Sequence, residues 1–220
     1  IAGVSLRKVH RLMGEIPKET VKEELTSLPD WNAIQFNDVV YQYPSKNDEK
    51  GFEIGPINLT VNRGEITFIV GGNGSGKSTL SKLITQHYQQ SSGSVCFGDT
   101  EITPELLTTA RHQVYAIYSN YYLFDQLLMD ITPEAEQQIQ HYLKAFRLDS
   151  KVSIENGHFS TTQLSDGQRK RLALLVALLD DKALYLFDEW AADQDPDFKD
   201  IFYTEILPEL KAQGKAVVAI

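Results

Sequence analysis

The chain has 220 residues, 42% of them hydrophobic and 23% charged, which is enough for one sizeable core and excludes disordered and collagen-like classes. A formal net charge of -9 disfavours general binding to nucleic-acid phosphates, and a single cysteine, Cys96, excludes an internal disulfide framework. No apolar run approaches the roughly 20 residues that cross a bilayer, and no signal peptide is expected in these residues.

Residues 1–20 predict a short amphipathic helix, with Leu6, Val9 and Met13 on one face and Pro17 as its break. A polar linker runs through Pro29. A strand is expected over Ile34–Tyr43, ended by Pro44 and a polar loop. Ile57, Leu59 and Val61 alternate with polar residues, the pattern of a half-buried strand. Gly64 then turns the chain into a fully apolar strand, Ile66–Val70, followed by a glycine-rich loop and a helix from about Lys77. Residues 101–172 read as mostly helical. Thr132-Pro133-Glu134 starts one helix, expected to reach about Leu148, and Ser165 caps another. An apolar strand over Ala183–Phe187, a helix over Phe198–Ala212 and a last strand from Ala216 complete the alternation. Strands alternating with helices predict an α/β fold with a largely parallel sheet. The start at Ile1 and the stop at Ile220, within an apolar run, predict cut ends rather than natural ones.

Three motifs carry chemistry. Gly71-Gly72-Asn73-Gly74-Ser75-Gly76-Lys77-Ser78 fits the P-loop pattern, with an apolar strand before it and a helix after it. Glycines let backbone N–H groups close around phosphate oxygens at a helix N-terminus, where the dipole favours anions. Lys77 is expected on the β- and γ-phosphates of ATP, Ser78 on Mg²⁺, and Thr79 as a further phosphate contact. The second motif is the strand ending Leu186-Phe187-Asp188-Glu189. Alone it reads as a solvated strand end. Beside a P-loop, Asp188 becomes a Mg²⁺ ligand and Glu189 the general base that polarises the attacking water.

The third motif is Leu164-Ser165-Asp166-Gly167-Gln168, followed by Arg169-Lys170-Arg171-Leu172. It resembles the signature of ABC (ATP-binding cassette) domains, usually written LSGGQ, with Asp166 in place of a glycine. The resemblance implies a P-loop core with an antiparallel β part near the N-terminus and a helical subdomain around 101–172. It also implies that Ser165, Gly167 and Gln168 close, in a head-to-tail pair of domains, on the γ-phosphate held by the partner's P-loop. A serine hydroxyl and a glycine amide at a helix N-terminus suit that role. Tyr43 sits where the family places the aromatic that stacks on adenine, and Asp195 where it places the acid of the D-loop. Two departures stand out. Ser119 occupies the position of the usual Q-loop glutamine, with Asn120 as the neighbouring alternative. None of His10, His87, His112, His141 or His158 sits where the family has its switch histidine, which is expected just after Ile220.

The resemblance covers about residues 34–220, with 1–33 expected as the tail and linker of a preceding transmembrane domain. Arg169–Leu175, Tyr185–Asp195 and Ser119 look most like exporters of cyclic peptides, peptide siderophores and microcins in Gram-negative bacteria. The expected function is therefore ATP hydrolysis at the cytoplasmic face of the inner membrane, driving peptide efflux through membrane domains and involving no nucleic acid. The rivals are a general multidrug or lipid efflux pump, a soluble ABC ATPase not involved in transport, and a regulatory nucleotide binder without turnover.

Overall fold

The computed structural model describes residues 27–44 and 51–220. The expected helix over 1–20, its break at Pro17 and the polar loop after Pro44 lie outside the described residues. Packing against the body starts ahead of the first strand. Trp31 is buried edge-on against Phe97, with the Arg63 guanidinium over its ring at 5.6 Å.

Two sheets form the frame. β1 (Ala33–Gln42) pairs antiparallel with β2 (Glu53–Asn62) and with β4 (Ser92–Phe97), and β5 (Thr100–Glu101) closes the order β2-β1-β4-β5. Along β1 the side chains alternate, Ile34 and Phe36 inward and Gln35 and Asn37 outward. A register shift between Phe36 and Val39, with Asp38 at φ 48, restores Val39 to the inside. The second sheet is parallel, in the order β3 (Ile66–Phe68), β10 (Ala216–Ala219), β9 (Leu184–Phe187), β6 (Val114–Ile117).

The parallel sheet divides the core. Leu184, Leu186, Ala216 and Val218 face the antiparallel sheet and α1 (Lys77–Ile84). Their neighbours Tyr185, Phe187 and Val217 face α3 (Pro133–Ala145), α4 (Asp166–Leu179) and the 196–212 segment. β9 and β10 are buried on both faces, which is why both read as unbroken apolar runs.

Several expectations change in detail. The strand expected over Ile66–Val70 is shorter. β3 stops at Phe68, and Phe68 and Val70 are 57% and 88% exposed, because β3 is the edge of the described sheet. Residues 101–172 are not helical throughout. They supply β6 to the parallel sheet, the short α2 (Leu107–His112), and a small hairpin of β7 (Ile154–Glu155) with β8 (His158–Phe159). α3 starts as expected, with Thr132 Oγ1 accepting from the Ala135 N–H at 3.2 Å, but ends at Ala145, and Arg147 then turns at φ 56. The helix expected over 198–212 is broken in character: α5 (Pro196–Ile201), a π turn over Phe202–Ile206, and α6 (Leu207–Ala212). Pro208 has no N–H for the regular ladder and crowds the preceding turn, and the wider turn accommodates it.

Candidate nucleotide site

β3, β10 and β9 run parallel and adjacent, so the loop after β3 and the residues after β9 emerge at the same edge of the sheet. That edge, beyond the C-terminal ends of parallel strands, is where open α/β sheets bind ligands. The loop over 71–76 leads directly into α1. Gly74 at φ 78 and Gly76 at φ 91, the latter capping the helix, hold left-handed conformations that side-chain-bearing residues adopt poorly. Lys77 Nζ donates to the carbonyls of Gly71 at 2.7 Å and Gly72 at 3.1 Å, so the ammonium lies over its own loop. A phosphate seated there would take it as a charge-assisted donor. Ser78 is exposed at the start of the helix.

Thr79 is buried, and its hydroxyl bonds the Tyr43 hydroxyl at 2.9 Å. The aromatic after β1 is thereby tied to the phosphate loop. Tyr88 meets the Tyr43 ring edge-on at 5.8 Å, Tyr41 does so at 5.0 Å, and Phe52 is tilted against it. Lys82 lies over Tyr88, 4.9 Å from its centroid.

Asp188 ends β9 with its N–H on the Ile117 carbonyl at 2.9 Å and its side chain buried. Burial pushes its carboxyl above the ordinary 3.8 and the Glu189 charge adds to this, while Lys77, Lys82 and Lys170 pull it back. A divalent cation would relieve that desolvation, so the residue suits a metal. Among the described residues no group of three His, Cys, Asp or Glu is placed to hold a metal alone. Ser78 and Asp188 would therefore need nucleotide phosphate oxygens to complete the shell of Mg²⁺. Glu189 is exposed, at φ 51 and ψ 27, with its N–H on the Ile220 carbonyl at 3.2 Å.

Ser165 caps α4 in a reciprocal box. Its hydroxyl accepts from the Gln168 N–H at 3.3 Å, and Gln168 Oε1 accepts from the Ser165 N–H at 3.2 Å. The first turns of α4 are bonded to the loop after Glu189. Gln194 Nε2 donates to the Gly167 carbonyl at 3.2 Å, and Arg171 Nε donates to Gln194 Oε1 at 3.0 Å. The Arg171 guanidinium pairs with Asp195 and stacks on Phe198 at 4.0 Å. Asp195 also caps α5, accepting from the Phe198 N–H at 3.0 Å. That bond, followed by Arg171, holds its carboxyl below the ordinary range.

The family model described as ABC transporter matches residues 54–192. The chain belongs to the ABC transporter family. It is an ATP-binding domain of that family, of the ATPase class. The ABC domain is 43% identical over 193 residues to the ATP-binding protein SyrD of Pseudomonas syringae pv. syringae, covering 86% of this chain and 34% of that protein. It is 29% identical over 168 residues to the ATP-dependent lipid A-core flippase of Escherichia coli strain K12, covering 71% of this chain and 28% of that one. A solved structure of a bacterial Atm1-family ABC exporter with ATP bound superposes with a TM-score of 0.76 at 18% identity, over 99% of this chain and 39% of that chain, which shows the shared fold. The ABC domain thus spans about a third of the length of the curated relatives it matches (34% and 28% of these two).

The motif reading missed some of what surrounds the site. Lys170 and Arg171 are buried cations, whereas charged residues on a helix ordinarily face water; the signal was their position inside a Leu- and Ala-rich helix. The Tyr118 hydroxyl, just after β6, bonds Thr85 Oγ1 at 2.7 Å, which ties β6 to the end of α1. Ser119 and Asn120 are exposed just beyond it. Next along the chain, Tyr122, Phe124 and Leu128 are exposed large apolar side chains around a groove lined by Tyr121, Leu123, Leu127 and Val176.

Proposed function

We propose that this domain binds Mg-ATP at the β3–β9 edge and hydrolyses it to drive export of a peptide through membrane domains elsewhere in the protein. The single observation that carries the reading is the convergence of the P-loop and Asp188–Glu189 at one edge of the parallel sheet, close enough for the Lys77 charge to act on Asp188. Mg²⁺ supplies charge neutralisation to the phosphates when bound. The chain's own residues do the rest. The loop 72–76 would offer backbone N–H groups and Lys77 to the β- and γ-phosphates, Ser78 and Asp188 would hold the metal, and Thr79 would contact phosphate while holding Tyr43. Tyr43 offers its ring to adenine, and Glu189 takes the proton from the attacking water.

Ser165, Gly167 and Gln168 form the second phosphate contact, used across a head-to-tail pair of domains. The capping box supports this, because it pre-orders a helix N-terminus at Asp166. Residues 1–33 lead in from the membrane domains, 101–172 carry the helical subdomain, and the site works at the cytoplasmic face of the inner membrane. Ser119, two residues before groove-lining Tyr121, transmits nucleotide state to those membrane domains. Among the described residues no helix is long and apolar enough to cross a membrane.

The peptide cargo rests on the resemblance of Arg169–Leu175, Tyr185–Asp195 and Ser119 to peptide exporters. The similarity to the lipid A-core flippase favours lipid efflux as the second reading. Reconstituted full-length protein separates them. Lasso or siderophore peptides should stimulate ATP hydrolysis, whereas stimulation by lipids or small drugs alone would replace peptide export with general efflux. Lys77→Ala should abolish productive Mg-ATP binding, and an affinity equal to wild type would overturn the nucleotide site itself.

A further inference from the structure

Glu189 has a strained backbone. It is not glycine, yet it sits in the left-handed region at φ 51 and ψ 27, between the end of β9 and a 3₁₀ turn over Trp190–Asp193. Such a conformation persists only where its surroundings hold it. The N–H is held by the Ile220 carbonyl. The carbonyl is held by Lys170, whose side chain is only 5% exposed. Lys170 Nζ donates to the Glu189 carbonyl at 3.2 Å and the Trp190 carbonyl at 3.4 Å, and pairs with Asp193 Oδ2 at 2.7 Å. Trp190 Nε1 returns a bond to the Lys170 carbonyl at 3.3 Å. All three donors of the buried ammonium thus meet oxygens of one turn.

A buried ammonium is a poor device for stability alone, since an apolar side chain of similar volume often serves as well. What the ammonium supplies here is direction. It fixes the peptide plane that follows Glu189 and leaves the carboxylate free at the surface. Arg171, next to it, reaches Gln194, Asp195 and the Phe146 carbonyl, so it braces the later loop and not Glu189.

We infer that Lys170 is a positioning residue for the general base, holding the Glu189 backbone in the left-handed turn that aims its carboxylate at the attacking water. The inference rests on the reading of Glu189 as that base. Lys170 also stands on α4, five residues after Ser165, so it links the signature end of the helix to the base within one domain.

The test uses the full-length protein that carries this chain. Lys170→Met should leave the KM for ATP within about twofold and lower kcat on the order of 10²-fold, as small misplacements of a reacting group do. Lys170→Arg, which restores a cation with several donors, should recover most of kcat. Loss of stability without loss of kcat, or a rise in KM that accounts for the whole defect, would overturn the inference. Should Lys170→Met fail to fold, Asp193→Asn at a half-exposed carboxylate is the second variant. It frees the ammonium from its anion and should lower kcat several-fold at constant KM, and an unchanged kcat would overturn the inference equally. Glu189→Gln in parallel separates the two layers. If it turns over like wild type, the base assignment fails; if it stops turnover while Lys170→Met does not, only the role of Lys170 fails.

Discussion

At the residue scale, Asp188 shows how function works against stability. Its folded pKa is raised, chiefly by burial, so the ionised form is disfavoured in the fold. Stability from this group is therefore present at low pH and lost as pH rises past the ordinary 3.8 through the raised value. Asp188→Asn removes that penalty. It should raise the metal-free melting temperature by a few degrees at neutral pH and abolish the Mg²⁺-dependent part of stabilisation by ATP, both readable by thermal denaturation with and without chelator. A melting temperature unchanged or lower without metal would place the strain elsewhere. The Thr79–Tyr43 bond separates two roles in the same way. Tyr43→Phe keeps the ring and loses the tether, so it should weaken ATP binding less than Tyr43→Ala in a fluorescent-nucleotide titration.

The placement of the motifs was legible in the sequence: the loop 71–76 opens α1, and Asp188–Glu189 ends a buried strand at the same edge. Lys170 was not legible, because burial of an ammonium is decided by three oxygens that arrive from a loop some twenty residues away.

At the scale of elements, the last residues of α1 and the first of α4 are each tied to a neighbouring loop. The far end of α1 carries Thr85, which bonds both Tyr118 and His87. Burial, then Arg111 and Lys82, hold the His87 imidazole below its ordinary 6.5. A base with a depressed folded pKa contributes stability that is complete above its unfolded value and lost as pH falls through the folded one. The melting temperature should therefore drop as pH is lowered below about 6.5, and His87→Asn should flatten that slope. An identical slope in the variant would remove His87 from the account. In α4, a Cβ at Gly167 would stand 2.9 Å from the Asp193 carbonyl, a backbone atom that cannot swing aside. Gly167→Ala should cost about 1–3 kcal/mol in urea denaturation, as overpacking does, and loosen the turn after Glu189.

Some elements were readable by a clear local signal: β2 by alternation, α3 and α4 by their caps. β6 was not, since the four residues Val114–Ile117 are too few to display any period and lie amid helical signals. The π turn was hidden for a different reason. Pro208 announces a disturbance but not whether the chain breaks or widens.

At the scale of the whole molecule, the parallel sheet sorts alternate residues of β9 and β10 into two cores and brings the P-loop and the Asp188–Glu189 turn to one edge. The signature helix is braced to that turn through Lys170, and to the loop beyond it through Arg171 and Gln194. Such an arrangement leaves Ser165 and Gly167 at an ordered helix end, suited to a nucleotide on a second copy. The alternation of strands and helices made this architecture readable from the sequence. The exposed Phe68, Val70, Tyr122 and Phe124 were not readable, because an apolar residue in a strand or loop does not declare which surface it will meet.

The most direct measurement is retention of radiolabelled ATP by the full-length Glu189→Gln protein in Mg²⁺, alongside its rate of hydrolysis. Removing the base while keeping the phosphate loop and the metal ligands should stop turnover and trap ATP between paired domains, so that label stays with the protein through gel filtration. Hydrolysis at the wild-type rate, or no more label retained than by wild type, would contradict the composite site.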